Sequence, residues 1–232
     1  MTAAPIHFRN ERLMLDPSGA AFWPAKRVLI VADLHFEKST ALAARGTLLP
    51  PYDTRATIER LTRLVRLYRP SKLIALGDSF HDGKAPARLA KEDRTRIEAM
   101  AREAQIIWVA GNHDEAAHDL PGQCVAEHRE GPFSFRHQAL PRLSPREIEI
   151  SGHFHPKASI ESRAKRISRP CFVSDGASRL ILPAFGTFTG GLDVRDPAIA
   201  RLFPRGLRVF LLGQEQLYSF ALEQLGRMAE VA

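Results

Sequence analysis

Four apolar stretches of this chain, residues 28–33, 73–78, 106–112 and 148–153, each read as a β-strand that stops on a side chain able to bind a metal ion. The stops are Ala32-Asp33-Leu34-His35, Leu76-Gly77-Asp78, Ala110-Gly111-Asn112-His113-Asp114 and Ser151-Gly152-His153-Phe154-His155. An Asp-x-His pair or a Gly-Asp turn is common after a strand and alone suggests only a loop. Gly-Asn-His-Asp after Ile106-Ile107-Trp108-Val109, and Gly-His-Phe-His, are much rarer. Together the four constrain the fold, because oxygen and imidazole donors converging at strand ends are what an active site requires. In open α/β sheets the ligand crevice lies at those carboxyl ends. The arrangement points to a two-metal phosphoester hydrolase, and a donor set of oxygen and nitrogen without cysteine suits manganese, iron or zinc.

Spacing within the motifs has a physical reading. Alternate side chains of an extended chain share a face, so Asp33 with His35, and His153 with His155, are expected to point the same way and reach one ion or two neighbouring ions. Gly77, Gly111 and Gly152 directly precede ligands. Glycine lacks a Cβ and tolerates positive φ, so the chain can turn sharply there and bring backbone close to an ion or phosphate.

These residues resemble the calcineurin-like metallophosphoesterases, whose signature is Asp-x-His, Gly-Asp, Gly-Asn-His-Asp/Glu, a further His, and Gly-His-x-His. The resemblance implies that Asp33 and His35 bind a first ion, Asp78 bridges both, Asn112 and His153 bind the second, and His155 binds the first. The further His is assigned to His137, which ends the Phe-rich strand Phe133-Ser134-Phe135-Arg136. His118 and His128 compete for that role but sit in polar, turn-like surroundings that suggest surface histidines. Two ions sharing Asp78 would lie ~3.5–4 Å apart and activate a water for in-line attack on phosphorus. By resemblance His113 protonates the leaving oxygen and Asp114 orients it, a carboxylate-fixed tautomer being suited to hold a proton near neutral pH. His81 and Asp82 either line the substrate side or cap the turn after Asp78. The stretches 32–39, 77–82 and 182–192 are further similar to the bacterial ligase-associated DNA damage response endonucleases. That subgroup implies DNA as substrate, single strands included, with an ATP-dependent DNA ligase and a helicase of a repair set as partners, and manganese as the metal.

The scaffold reading agrees. Residues 53–69 carry Ile58, Leu61, Leu64, Val65 and Tyr68 on a helical stripe closed by Pro70, and residues 90–104 repeat the theme with Ile97, Met100 and Ala101. Beyond His155 the pattern becomes short strands at 158–161, 171–174, 180–182, 207–212 and 217–220, with a hairpin turn at Gly213-Gln214-Glu215. An αβ half feeding a β-rich half predicts an α/β fold of two packed mixed β-sheets flanked by helices, a four-layer αββα sandwich, which is also the family's fold. The 232 residues suit one domain spanning 1–232. There is neither a secretory leader pattern nor an apolar run near the ~20 residues of a membrane span. Two cysteines, Cys124 and Cys171, fit a reducing compartment. A cytoplasmic protein is expected.

Charge bears on the substrate: 33 Lys plus Arg against 26 Asp plus Glu give +7, which favours phosphate-rich partners. The densest cluster, Lys157, Arg163, Lys165, Arg166 and Arg169, follows the last ligands and reads either as a hairpin that positions a DNA backbone or as a solvated surface. Arg60, Arg63 and Arg66 are expected on the solvent face of the first long helix. Three activities fit: a DNA endonuclease or phosphodiesterase, a phosphomonoesterase acting on small molecules or phosphoproteins, and a non-catalytic scaffold. The filled ligand positions weigh against the last.

Overall fold

In the computed structural model, which describes residues 2–114, 118–161 and 166–225, two sheets pack face to face. The first has seven strands in sequence order: β1 (Ala4–Phe8), β2 (Glu11–Leu15), β3 (Ala21–Trp23), β4 (Val28–Ala32), β5 (Lys72–Leu76), β6 (Gln105–Val109) and β7 (Gln123–Val125). Strands β1 to β4 pair antiparallel and β4 to β7 parallel. Helices α1 (Lys38–Ala43) and α2 (Asp53–Tyr68) join β4 to β5, and α3 (Ala85–Arg88) and α4 (Lys91–Glu103) join β5 to β6. The second sheet holds β8 (His128–Glu130), β9 (Phe133–Arg136), β10 (Ile148–Ser151), β12 (Arg166–Ser174), β13 (Arg179–Ile181), β14 (Arg208–Leu212) and β15 (Leu217–Ala221). Strand β11 (Lys157–Glu161) pairs with β12 as a hairpin, and a four-residue helix, α5 (Pro197–Ala200), lies between β13 and β14. This is the expected sandwich, with one outer helical layer reduced to α5 and loops.

Sequence accounts for the layers. Strand β4 reads Val-Leu-Ile-Val-Ala and is buried throughout, because a central parallel strand is covered on both faces. One face meets α2 and α4 through Ile58, Leu61, Val65, Ile97 and Met100, and the other meets the second sheet through Phe133, Phe135, Ile148 and Ile150. Helix α2 ends where Arg69 adopts φ 44, just before Pro70. Arg63 and Arg66 face solvent as expected. Arg60 does not: its guanidinium lies 4.4 Å from the Phe185 ring centre and donates to the carbonyls of Phe185 and Ser18, so its stem packs inward. Among the described residues no helix is long and apolar enough to cross a membrane.

Register brings the motifs together. Ala32 pairs with Leu76 and Leu76 with Val109, so three parallel strands end level with one another. In the second sheet Arg136 pairs with Ser151 and Ser151 with Ile181, which levels three more. The loops that follow meet along one edge of the sandwich.

Candidate metal centre

The ligand candidates leave their strands before they act. Strand β4 stops at Ala32 and β10 at Ser151. Asp33, His35, Asp78, His153 and His155 all have left-handed backbone, with φ of 53, 46, 44, 73 and 46. The extended geometry expected from the two-residue spacing is therefore replaced by tight turns. Non-glycine residues hold such conformations only where surrounding structure imposes them, and this occurs most often at functional sites. Backbone bonds supply the constraint here: His35 N donates to Asp78 O at 2.9 Å, Phe36 N to Ser79 O at 2.8 Å, and Gly152 N to His137 O at 2.9 Å. The glycines clear space more than they bend the chain. A Cβ at Gly152 would stand 2.6 Å from Asp33 Oδ2, and one at Gly111 would meet Asp78 and stand 2.8 Å from Asp114 Oδ1. Of these three glycines, Gly77 alone combines positive φ, 72, with close contact, its missing Cβ making room for the His137 ring.

Two groups of donors result. Asp33, His35 and His155 form one, and Asp78, His137 and His153 the other. In the first, His35 Nε2 lies 3.2 Å from His155 Nε2, which lies 3.4 Å from Asp33 Oδ1. In the second, His137 Nε2 lies 3.0 Å from His153 Nδ1, 2.9 Å from Asn112 Oδ1 and 3.4 Å from Asp78 Oδ2. Asp78 Oδ2 is also 3.9 Å from His35 Nε2 and so stands between the groups. Of the sequence candidates for the lone histidine, His137 is the one brought here. His118 packs edge-on against Phe80 and Trp108, correcting its reading as a solvated residue, and His128 pairs with Glu130 on β8.

The donor chemistry fits divalent cations. His137 Nδ1 lies 3.0 Å from the Leu76 carbonyl, an acceptor only, so Nδ1 carries the proton and Nε2 presents its lone pair. A second hydrogen bond that fixes the tautomer in this way is the usual mark of a ligating histidine. That lone pair faces carboxylate and amide oxygens, an arrangement that a cation held between them satisfies. Burial first, then the charge of His155, holds His35 down to about 2, and burial and His137 also lower His153. Both rings are therefore neutral, the form that binds metal. His35 Nδ1 is buried without a hydrogen-bond partner.

His113 stands at the open side, 40% exposed, with Nε2 3.9 Å from Asp78 Oδ2 and its backbone N–H donating to Asp78 Oδ1 at 2.9 Å. Its orienting partner differs from expectation. Nδ1 donates to the His81 carbonyl at 2.9 Å, and the two rings stack 5.3 Å apart. Asp114 instead accepts from Ser79 N at 2.7 Å, Phe80 N at 3.1 Å and Gly111 N at 3.0 Å, tying the loop after β5 to that after β6. Burial raises its carboxyl to about 6 against those bonds. Asp82 pairs with Arg88 at 2.8 Å, which braces the same loop onto α3.

Of the basic residues, Lys157 is half-buried beside the centre, where its stem lies against Gly191 and Gly191 against the His155 carbonyl. Arg166 is exposed at the far end of the β11–β12 hairpin, opposite position 161 in the backbone register. Arg163 and Lys165 lie outside the described residues. The sequence reading missed Lys38, whose charge is felt by His35 and His81, and Gln138, which with His153, His155 and Leu192 lines a cleft of about 440 Å³. Lys38 lies within the 32–39 stretch and Gln138 directly follows His137, which was the available signal.

The family model described as calcineurin-like phosphoesterase matches residues 26–175. Among solved structures, that of the Pseudomonas putida nuclease MPE is 30% identical with a TM-score of 0.71, over 94% of this chain and 100% of that one. The E. coli phosphoesterase Yfce is 14% identical with a TM-score of 0.40, over 84% of this chain and 98% of that one. A double mutant of Vps29 from Entamoeba histolytica is 16% identical with a TM-score of 0.36, over 84% and 97%. No curated protein matches the sequence.

Proposed function

We propose that this chain, which belongs to the calcineurin-like phosphoesterase family and is therefore a metal-dependent phosphoric ester hydrolase, cuts phosphodiester bonds within DNA strands. The family works with a dinuclear metal centre, and the observation that carries the reading is Asp78 Oδ2, which stands between two Asp/His groups with the exposed His113 facing it. Asp33, His35 and His155 would hold one divalent ion and Asn112, His137 and His153 the other, with Asp78 shared. Held there, two such ions would supply Lewis-acid polarisation of a phosphoryl group and an activated water. We take manganese as the metal, on a donor set that also accepts iron or zinc.

The chain's own groups divide the remaining work. The His81 carbonyl holds His113 Nδ1–H, so in the imidazolium form the second proton sits on Nε2, on the side open to substrate, and its transfer to the leaving oxygen leaves the neutral Nδ1–H ring. Asp114 fixes the two loops that carry Asp78 and His113. Lys157 and Lys38 meet phosphates flanking the cut, and Arg166 extends the basic track along the hairpin. DNA is favoured because the relative at 30% identity is a nuclease and the chain carries a +7 excess. We place the protein in the cytoplasm, acting in repair beside an ATP-dependent DNA ligase and a helicase.

Manganese-dependent cleavage of circular single-stranded and supercoiled double-stranded DNA tests this. Circles have no ends, so cutting them requires endonuclease action. Cleavage abolished by EDTA and by Asp78→Asn is the expected result. Hydrolysis of a simple aryl phosphate with intact circles would replace the reading by a phosphomonoesterase.

A further inference from the structure

An aromatic pair on the rim of the metal centre has no role in the chemistry described above. Tyr52 is 57% exposed and Phe188 38% exposed, and their rings lie 6.1 Å apart at 54°. Single exposed aromatics are ordinary, but three observations set this pair apart.

The first is position. The loop carrying Phe188 is fastened at both ends to ligand-bearing segments: Gly186 N donates to Asp33 O at 3.0 Å, and Leu192 N to Phe154 O, between His153 and His155, at 3.3 Å. Phe188 follows Gly186 by two residues, so it stands within roughly 7 Å of that anchor. On the facing side Tyr52 directly precedes Asp53 and Thr54. The Asp53 carboxylate accepts from Ser39 N at 3.0 Å and Thr54 Oγ1 from Glu37 N at 2.7 Å, which fixes Tyr52 to the segment just after His35. The pair is therefore tied to the backbone that continues from Asp33 on one side and from His35 on the other.

The second is conformation. Phe188 has φ 59, a left-handed backbone that a bulky residue adopts only at a cost. A strained residue whose large apolar side chain remains exposed is poorly explained by folding stability.

The third is charge. Lys38 and Lys157 are both half-buried, Lys157 with its stem against Gly191 beside the His155 carbonyl and Lys38 three residues beyond His35. Two adjacent cations next to two aromatic faces match a nucleotide, whose phosphate takes the charge and whose base takes the π-surface.

We propose that Tyr52 and Phe188 form a stacking platform for an unpaired base next to the phosphate held at the metal centre, with Lys38 and Lys157 gripping the flanking phosphates. The inference rests on the nuclease reading and adds the residues that read the strand. A base paired within a duplex has its faces covered by neighbouring pairs, so the platform selects a strand whose bases are free to splay out.

The test measures binding by fluorescence anisotropy, with the full chain in EDTA so that no strand is cut. Two fluorescent single strands of equal length and charge are compared, one of thymidylates and one whose every position is abasic. The wild type is expected to bind the thymidylate strand roughly 5- to 150-fold tighter, the ratio that stacking one base supplies. Phe188→Gly and Tyr52→Ala should lose most of that ratio, while Phe188→Trp keeps it. Lys157→Ala should weaken both strands alike and flatten the salt dependence. Because glycine relieves the backbone at position 188, Phe188→Gly should melt no lower than the wild type. Equal affinity of the wild type for both strands overturns the platform and leaves the nuclease reading standing, whereas no binding to either strand, both in EDTA and with manganese restored, overturns both. A Tyr52→Ala/Phe188→Gly variant that keeps the base preference but alters self-association in sedimentation would reassign the pair to a protein contact and overturn the proposal.

Discussion

Replacing Glu149 by alanine is expected to cost about 3–5 kcal/mol of folding stability, because it strips a buried carboxylate from two buried guanidinium groups. Glu149 is 1% exposed. Its Oε2 accepts from Arg136 Nη1 at 2.8 Å and from Leu140 N at 2.9 Å, and its Oε1 accepts from Arg179 Nη1 at 2.5 Å. The two arginines lose unequally. Arg136 retains Glu147 at 2.6 Å and Glu127 at 2.8 Å, whereas Arg179 retains only the Leu140 carbonyl among the described residues. Most of the loss is therefore the charge of Arg179 left without a counter-ion in the interior. For a chain of this size, 1 kcal/mol moves the melting point by about 2–4 °C, so a fall of roughly 6–20 °C is expected by circular dichroism. A double variant, Glu149→Met with Arg179→Met, removes both charges and fills similar volume, and should recover most of the loss. A single variant that melts within about 2 °C of the wild type, or a double variant whose losses add, would refute the argument. The network matters beyond stability, since Arg136 directly precedes His137, and β10, which carries Glu149, leads into Gly152 and His153.

Other perturbations address the centre itself. Asp78→Asn should lose most bound metal and nearly all hydrolysis, and a variant retaining two ions per chain by elemental analysis would remove Asp78 from the bridging role. His113→Ala should keep the metal while lowering kcat by about 10²–10⁴-fold on poor leaving groups and far less on good ones; an equal loss on all leaving groups would exclude it as the acid. Burial raises the Glu147 carboxyl, but the hydrogen bonds from Arg136 and Ser144 N outweigh it and hold the group down to about 2. The folded chain thus binds fewer protons there than the unfolded one, so the contribution is complete above the usual range near 4.5 and is lost as pH falls toward 2. Urea melts of Glu147→Gln should accordingly show a shallower loss of stability between those limits. His155→Asn removes a ligand but places a residue that, glycine aside, is among those most at ease at φ 46, so in EDTA it should melt within about 1 kcal/mol of the wild type, and a larger fall would mean the ring is needed for packing.

The centre was legible because its donors sit beside one another in sequence at the ends of apolar runs. Asp33 with His35 and His153 with His155 announce themselves, and the parallel register of β4, β5 and β6 does the gathering. His137 was found only because it ends a Phe-rich strand, its partners Leu76 and Asn112 being 61 and 25 residues away. What sequence hid depends on such distant contacts. Nothing near Arg60 signals that Phe185 will lie under it, and nothing in Gly-Asn-His-Asp signals that Asp114 will turn to Ser79 and leave His113 to a carbonyl. The antiparallel strands β1, β2 and β3 passed unread because they end on no chemistry and carry polar residues such as His7, Arg12 and Glu11.

The backbone at the centre also explains why pattern reading mistook its geometry. Period-two spacing suggests extended chain, yet extended residues two apart would lie about 6.6 Å from each other along the strand. The left-handed turns shorten that path and let one motif serve two directions. Asp33 turns its carboxylate to accept His153 N at 3.0 Å, while His35 brings Nε2 to 3.2 Å from His155. Each such residue costs about 1–2 kcal/mol, and five together approach the whole net stability of an ordinary domain, about 5–15 kcal/mol. A chain tolerates that only if the turns are imposed from outside. Here they are held between two sheets, through Asp33 N to Gly77 O at 3.3 Å, Phe185 N to Ala32 O at 2.8 Å and Gly152 N to His137 O at 2.9 Å. Since these bonds join backbone to backbone, they do not depend on a metal ion. The strain is therefore built in when the sandwich forms, and the donors await the metal already converged.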